Sequence, residues 1–230
     1  MRIVSVGAKG GVGKTTLALN LAGVMPPASS VELVDLDPSA SLTLAVLGEP
    51  HPDPLRADPL PLEWRDRTTF RASGRTLASA NEWDIEEHLK YRRSKDAVQI
   101  VDCSPALDAR ALKTMAMADV ILVPIGAQPL DLPSLWDILA YHEELRMKGH
   151  VMAVLNRVQA RRGIVDAVVS AIKSQAPGIL MRTQIPEDVR VAEAPGAGIP
   201  VQLYAPASRG AEAYRKLAKE IYTRTKKGKA

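Results

Sequence analysis

Lys9-Gly10-Gly11-Val12-Gly13-Lys14-Thr15-Thr16 stands between a short apolar run, Arg2 to Gly7, and a helix-compatible stretch, Thr15 to Met25. Glycines at 10, 11 and 13 let backbone N–H groups turn inward around phosphate oxygens. Lys14 can then reach the β- and γ-phosphates, and the Thr15 hydroxyl is placed to ligate Mg²⁺. Strand, glycine-rich loop and helix in that order predict a nucleoside triphosphate site. A glycine-rich turn without a ligand is the alternative, and lysines on both sides of the glycines weigh against it. Ala8 occupies the place where G-x-x-x-x-G-K-[ST] has its first glycine, and Lys9 adds a second cation just before the loop.

Two further apolar runs end in carboxylates: Val31 to Asp35, continuing as Leu36-Asp37-Pro38-Ser39-Ala40-Ser41, and Ala97 to Asp102, continuing as Cys103-Ser104-Pro105. A phosphate-loop enzyme needs one group to position water against the γ-phosphate and another to hold the metal, so Asp37 and Asp102 are candidates for these tasks. Asp-Pro after a strand is also ordinary turn chemistry, and any strand can end in Asp. Each signal gains its force from the loop. Asn156 ends a third apolar run, Val151 to Leu155, and its amide offers both a donor and an acceptor; alone, it is more often a turn former.

These residues need a scaffold that brings strand ends together. The runs Arg2 to Gly7, Val31 to Asp35, Ala97 to Asp102, Val120 to Pro124 and Val151 to Leu155 are short, rich in β-branched residues and flanked by helical segments. That pattern predicts an α/β fold, a doubly wound and mostly parallel sheet with helices on both faces, in which ligands sit beyond the carboxyl ends of the strands. At 230 residues, 46% of them hydrophobic, the chain is expected to form a single domain over 1–230. Prolines at 50, 52, 54, 59 and 61 exclude a regular helix and suggest a surface loop over His51 to Leu62. No apolar run is long enough for a membrane span, no secretory signal pattern opens the chain, and the one cysteine, Cys103, cannot pair within it. A cytoplasmic location is expected.

The net charge of +4 is unevenly distributed: Arg209 to Ala230 holds eight basic residues against two acidic ones. A charge run is often only a solvated face. Here Tyr214, Leu217, Ala218 and Ile221 recur at helical spacing, which leaves Arg215, Lys216 and Lys219 on the opposite side. A docked helix over about 207–230 would present a cationic surface suited to a polyanion, DNA phosphates being the natural candidate.

The run from Lys9 to Thr16 resembles the deviant phosphate loop of the ParA/MinD family of partitioning and positioning ATPases. Asp35-Leu36-Asp37-Pro38 resembles the family's D-x-D-P-Q, with Ser39 replacing glutamine, and Asp102-Cys103-Ser104-Pro105 resembles its D-x-P-P, with Ser104 departing. Ile185 to Pro195 resembles the base-enclosing loop, and Ser208-Arg209-Gly210 the ParA branch, Soj-like proteins included. The likeness spans the chain apart from Glu49 to about Arg71. It implies ATP contacts by Lys9, Gly10, Gly11, Val12, Gly13, Lys14, Thr15, Thr16, Asn156 and Pro186. It also implies catalysis by Lys9, Lys14 and Asp37, and Mg²⁺ held by Thr15 directly and by Asp37 and Asp102 through water. Lys9 would cross to the ATP of a second subunit, so that ATP joins a homodimer and hydrolysis releases it. Arg190, Arg209 and Lys216 would contact nonspecific DNA, a nucleoid-associated behaviour, and a ParB-like or cargo-adaptor protein would stimulate hydrolysis. A plasmid, a chromosome or a protein assembly would be the cargo.

A MinD-like membrane-surface ATPase is one alternative, but Thr223 to Ala230 lacks the bulky apolar residues that such an anchor needs beside its lysines. A metabolic ATP-dependent ligase of the same fold is another, and Lys9 with the basic C-terminus weighs against it. Iron–sulfur relatives, which need two cysteines per subunit, are excluded.

Overall fold

The computed structural model describes residues 1–26, 29–49, 60–62, 67–74, 77, 82–90, 97–159 and 162–227. Seven strands form one sheet: β1 (Arg2–Ser5), β2 (Val31–Leu36), β3 (Leu60–Pro61), β4 (Thr68–Arg71), β5 (Val98–Cys103), β6 (Val120–Gly126) and β7 (His150–Asn156). Their order is β3-β4-β2-β5-β1-β6-β7. All neighbours are parallel except β3 on β4. The five runs expected as parallel strands are present, with ends displaced by one or two residues. β3 and β4 fall outside the runs expected as strands. Residues 50–59 of the proline-rich span lie outside the described residues. Its end corrects the expected loop, since Leu60 and Pro61 form an antiparallel edge strand, a position where a missing N–H is tolerated.

Alternation along the strands divides the core into two clusters, one on each face. Ile3, Leu33, Ile100 and Leu122 pack with Leu17 and Leu21 of α1 (Lys14–Val24) and with Tyr214, Leu217 and Ile221 of α9 (Arg209–Lys227). Val4, Val34, Val101 and Ile121 meet α3 (Glu82–His88), α4 (Ala109–Ala116), α5 (Leu132–Glu144) and α6 (Arg162–Gln175). Covering both faces explains why the central strands are apolar almost throughout. The stripe expected on the last helix is buried, whereas Arg215, Lys216 and Lys219 are exposed. Three short helices complete the fold: α2 (Ser41–Leu47), α7 (Val189–Glu193) and α8 (Val201–Tyr204).

The outer edge of β7 is met by later chain. Met181 N donates to Ala153 O at 2.8 Å and Ile185 N to Leu155 O at 2.8 Å, while Val158 and Pro186 form a parallel bridge. Near the opposite end of the strands from the phosphate loop, a polar chain runs across the sheet. Arg71 Nε donates to Glu32 Oε1 (2.5 Å), Gln99 Nε2 to Glu32 Oε2 (2.7 Å), Arg2 Nε to Gln99 Oε1 (2.5 Å), and Arg2 Nη2 to Leu89 O (2.6 Å). His88 is buried beside it without a hydrogen bond among the described residues, and burial together with the Arg71 charge pushes its pKa down to about 4.

Candidate nucleotide site

The phosphate loop leaves β1 and enters α1 through Gly13, whose φ of 98° is left-handed. A Cβ at that position would stand 2.2 Å from Asn156 Nδ2, so both the backbone and the space require glycine. No side chain caps α1. Its first-turn amides are therefore open to an anion, and the helix dipole favours a negative charge there. Lys14 is 6% exposed; its ammonium curls back to donate to Lys9 O at 3.4 Å, and burial lowers its pKa. A buried cation without a carboxylate hydrogen bond is poised for phosphate oxygens. Gly10, Gly11, Gly13, Lys14, Thr15, Thr16, Asp37, Ser39 and Ser41 line a cavity of about 410 Å³.

The two carboxylate strands meet beside this loop, since Asp35 and Asp102 are register partners on β2 and β5. They differ in what satisfies them. Asp35 accepts from Thr43 N (2.8 Å), Thr43 Oγ1 (2.8 Å) and Asp37 N (3.0 Å), and burial still raises its pKa to about 6. It holds the loop. Asp37 accepts from Ser39 N at 2.8 Å, and its carbonyl receives Ser73 Oγ at 2.6 Å, so this carboxylate is fixed at the cavity wall. Asp102 is fully buried, and neither of its oxygens has a hydrogen-bond partner among the described residues. Burial and the neighbouring Asp35 raise its pKa well above the ordinary carboxylate value, with Thr15 and Lys14 opposing them. An orphaned buried carboxylate next to a threonine hydroxyl suits a hydrated divalent cation. Among the described residues there is no cluster of three or more metal-ligating His, Cys, Asp or Glu side chains. Mg²⁺ keeps several waters and takes only one or two carboxylates along with phosphate oxygens.

A second cavity of about 500 Å³ adjoins the loop, lined by Lys9 to Val12, residues 126–131, Asn156, Arg157 and Glu187 among others. Asn156 faces it and donates from Nδ2 to Val12 O at 2.7 Å, which ties the end of β7 to the loop. Lys9 is 53% exposed on its side chain and pairs with Asp131 Oδ1 at 2.6 Å. Asp131 approaches the chain so closely that a Cβ on Gly126 would lie 2.1 Å from its Oδ2. Pro186 lines a different groove, while its neighbour Glu187 reaches this cavity.

That groove, about 690 Å³, runs along α9 and is lined by Arg182, Arg209 and Lys216 with Thr183, Ser208 and Glu212. Arg209 and Lys216 thus come together. Arg190 does not join them: it sits on α7, where it pairs with Glu193 at 2.9 Å. Asp188 links the two helices by accepting from Arg190 N (3.0 Å) and Gly210 N (2.9 Å). The sequence pattern did not single out Asp131, Arg157, Arg182 or Asp188. Asp131 had one available signal, a glycine ending a strand with an aspartate five residues on; the others had none.

A parallel sheet with a phosphate loop after its first strand and carboxylates at the ends of two neighbouring strands defines a P-loop nucleotide-binding domain. The chain belongs to the CbiA family, the CobQ/CobB/MinD/ParA nucleotide binding domain, whose family model matches residues 3–201. The chromosome-partitioning ATPase Soj of Thermus thermophilus is 31% identical over 239 residues, covering 97% of this chain and 96% of that protein. Soj of Treponema pallidum is 29% identical over 245 residues, covering 96% and 97%. The fold is shared with the ATP complex of McdA from Cyanothece (TM-score 0.83, 20% identity, 96% of each chain). It is shared equally with cobyrinic acid a,c-diamide synthase of Mycobacterium smegmatis bound to an ATP analog and magnesium (TM-score 0.81, 20% identity, 99% and 96%). Among the described residues no helix is long and apolar enough to cross a membrane.

Proposed function

We propose that this chain is a ParA-type ATPase that binds Mg-ATP beyond the ends of β1, β2 and β5 and closes on a second copy of itself through that nucleotide. In this state it holds nonspecific DNA and so positions a cargo, and a partner protein that stimulates hydrolysis releases it. One observation carries the reading: the unpartnered Asp102 carboxylate lies buried beside Lys14 and Thr15, at the mouth of an uncapped helix. Burying these charges is costly unless a ligand compensates them, and a phosphate chain with its cation does so. Whole-length similarity to Soj proteins supports the partitioning branch over the synthase that shares the fold.

Lys14 and the α1 amides hold the phosphates, and Asn156, once turned from Val12 O, offers its amide to the base. Asp37, fixed by Ser39 and Ser73, orients the attacking water. Thr15, Asp37 and Asp102 would hold Mg²⁺, which when bound neutralises phosphate charge as it shifts to the leaving oxygen. Lys9 is mounted on the rim and half-exposed, so release from Asp131 frees it to reach the partner copy's nucleotide. The groove with Arg209, Lys216 and Arg182 supplies phosphate contacts for DNA, and two copies double them.

Hydrolysis of Mg-ATP measured alone, with plasmid DNA and with anionic liposomes separates the readings. Stimulation by DNA supports the ParA type. Stimulation by liposomes alone moves the chain to a membrane-surface ATPase, and the absence of any turnover points to ligase chemistry. Light scattering of Lys9→Ala with ATP is expected to show nucleotide-bound monomers. Arg209→Glu is expected to dimerise normally yet lose DNA at physiological salt.

A further inference from the structure

Gly10, Gly11 and Arg157 are the three described residues that line both the phosphate-side and the base-side cavity. The two glycines belong to the loop, but Arg157 comes from the far side of the site, directly after the last residue of β7. Its backbone has φ 54°, a left-handed conformation that disfavours every residue with a side chain except the turn formers Asn and Asp. The surrounding hydrogen bonds impose it. Ile185 N donates to Leu155 O (2.8 Å), Val158 N to Ile185 O (3.0 Å) and Glu187 N to Val158 O (3.1 Å), so the chain is clamped on both sides of the turn. Glycine would satisfy that turn without strain. Arg157 carries a long cation there instead, as Arg67 and Arg146 do at other left-handed positions, but it alone of these lines both cavities.

Among the described residues no protein group occupies the guanidinium. Arg157 is exposed and makes no hydrogen bond or ion pair among the described residues, unlike Lys9, Arg110, Arg190 and Arg224, each of which has a carboxylate. Arg157 shares the phosphate-side cavity with Thr15 and Thr16, in the first turn of α1. In a phosphate loop, lysine takes the β- and γ-phosphates, and the loop amides leading into the helix cradle the α- and β-phosphates. The junction between the two cavities is thus where a nucleotide's α-phosphate joins its ribose.

We infer that Arg157 is a nucleotide ligand in cis, which holds the α-phosphate of a bound nucleoside di- or triphosphate and spans the join between phosphate and base recognition. A planar, permanently charged fork suits two phosphate oxygens at once. The inference rests on the nucleotide-site reading above and adds a distinction to it: the α-phosphate is present in ADP and ATP alike, so this contact is indifferent to hydrolysis.

Calorimetric titration of Mg-ADP, Mg-ATP and adenosine into the parent, Arg157→Gly and Arg157→Lys tests it. Arg157→Gly keeps the turn, and its melting temperature without nucleotide is expected at or above the parent's. Its affinities for Mg-ADP and Mg-ATP should fall by the same factor, about 10–100-fold, with adenosine unchanged and Arg157→Lys recovering only part of the loss. If Arg157→Gly binds Mg-ADP within twofold of a parent that itself binds, the role of Arg157 is overturned while the site stands. A loss confined to ATP would place the arginine across a dimer and overturn the assignment in cis. A parent that binds neither nucleotide would overturn the site and this inference together.

Discussion

Near opposite ends of the same three strands, β1, β2 and β5, the protein buries two sets of polar side chains drawn from nearly the same inventory. Toward the amino ends, Glu32, Gln99 and Arg2, joined by Arg71, close on one another until each of the hydrogen-bonding groups named above has a protein partner. At the carboxyl ends, Asp35 is satisfied, but Asp102 is buried without a partner among the described residues and Lys14 lines the cavity, with no carboxylate-to-lysine hydrogen bond between them. The first set is a brace, and its energy lies within the fold. The second is incomplete by itself, and completing it is a binding event. Buried polar groups acquire opposite meanings according to whether their partners belong to the chain.

That contrast predicts which end tolerates change. Glu32→Gln leaves Arg71 without its carboxylate and is expected to cost about 3–5 kcal/mol of stability in denaturant melts, with nucleotide affinity per folded molecule unchanged. A loss below about 1 kcal/mol would mean that the brace carries no load. Lys14→Ala should do the reverse. Nucleotide affinity should fall on the order of 100-fold or more in a titration, while the nucleotide-free protein melts no lower than the parent, because a burial cost has been removed.

Acid sharpens the comparison further. Burial holds His88 neutral with a pKa of about 4, below its unfolded value, so the unfolded chain takes up the proton first as pH falls through 6.5. This group's contribution is present above pH 6.5 and is lost toward pH 4, roughly 2 kcal/mol of it by pH 5. Asp35, with its pKa raised to about 6, has the opposite slope. Chemical denaturation at pH 7 and pH 5 should therefore show a smaller loss in His88→Gln than in the parent; equal losses would remove His88 from the account. The smallest effect is expected for Asp102→Asn. Burial already favours the uncharged acid, so the nucleotide-free protein should change by less than about 1 kcal/mol, while Mg-dependent hydrolysis drops sharply.

Five strands, the phosphate loop and the last helix were legible because each has a local signature: β-branched runs, glycine spacing, and an apolar stripe from Tyr214 to Ile221 that the structure buries. The residues that complete the site were not. Asp131 reaches Lys9 across 122 positions, and Asp188 ties Arg190 to Gly210 across the contact of two helices. Such pairings are set by how elements pack, and no spacing rule encodes them. Arg157 was hidden differently, because its backbone strain exists only once β7 and the segment from 185 to 187 are clamped together. β3 was missed because a two-residue strand containing proline falls below the length at which alternation can be recognised, and β4 because Thr68-Thr69-Phe70-Arg71 carries a single strongly apolar residue.

The sheet ends in a way that constrains how copies of this chain can meet. On one side it stops at β3, two residues long and half proline. On the other, β7 is met by the bridge of Leu180 to Ala153 and by the hydrogen bond from Ile185 N to Leu155 O. Among the described residues neither margin offers a long row of free amides and carbonyls on which another chain could template itself, which disfavours growth by strand addition, the route to fibrils. Association through the surface above the strand ends, as proposed above, would leave both borders untouched.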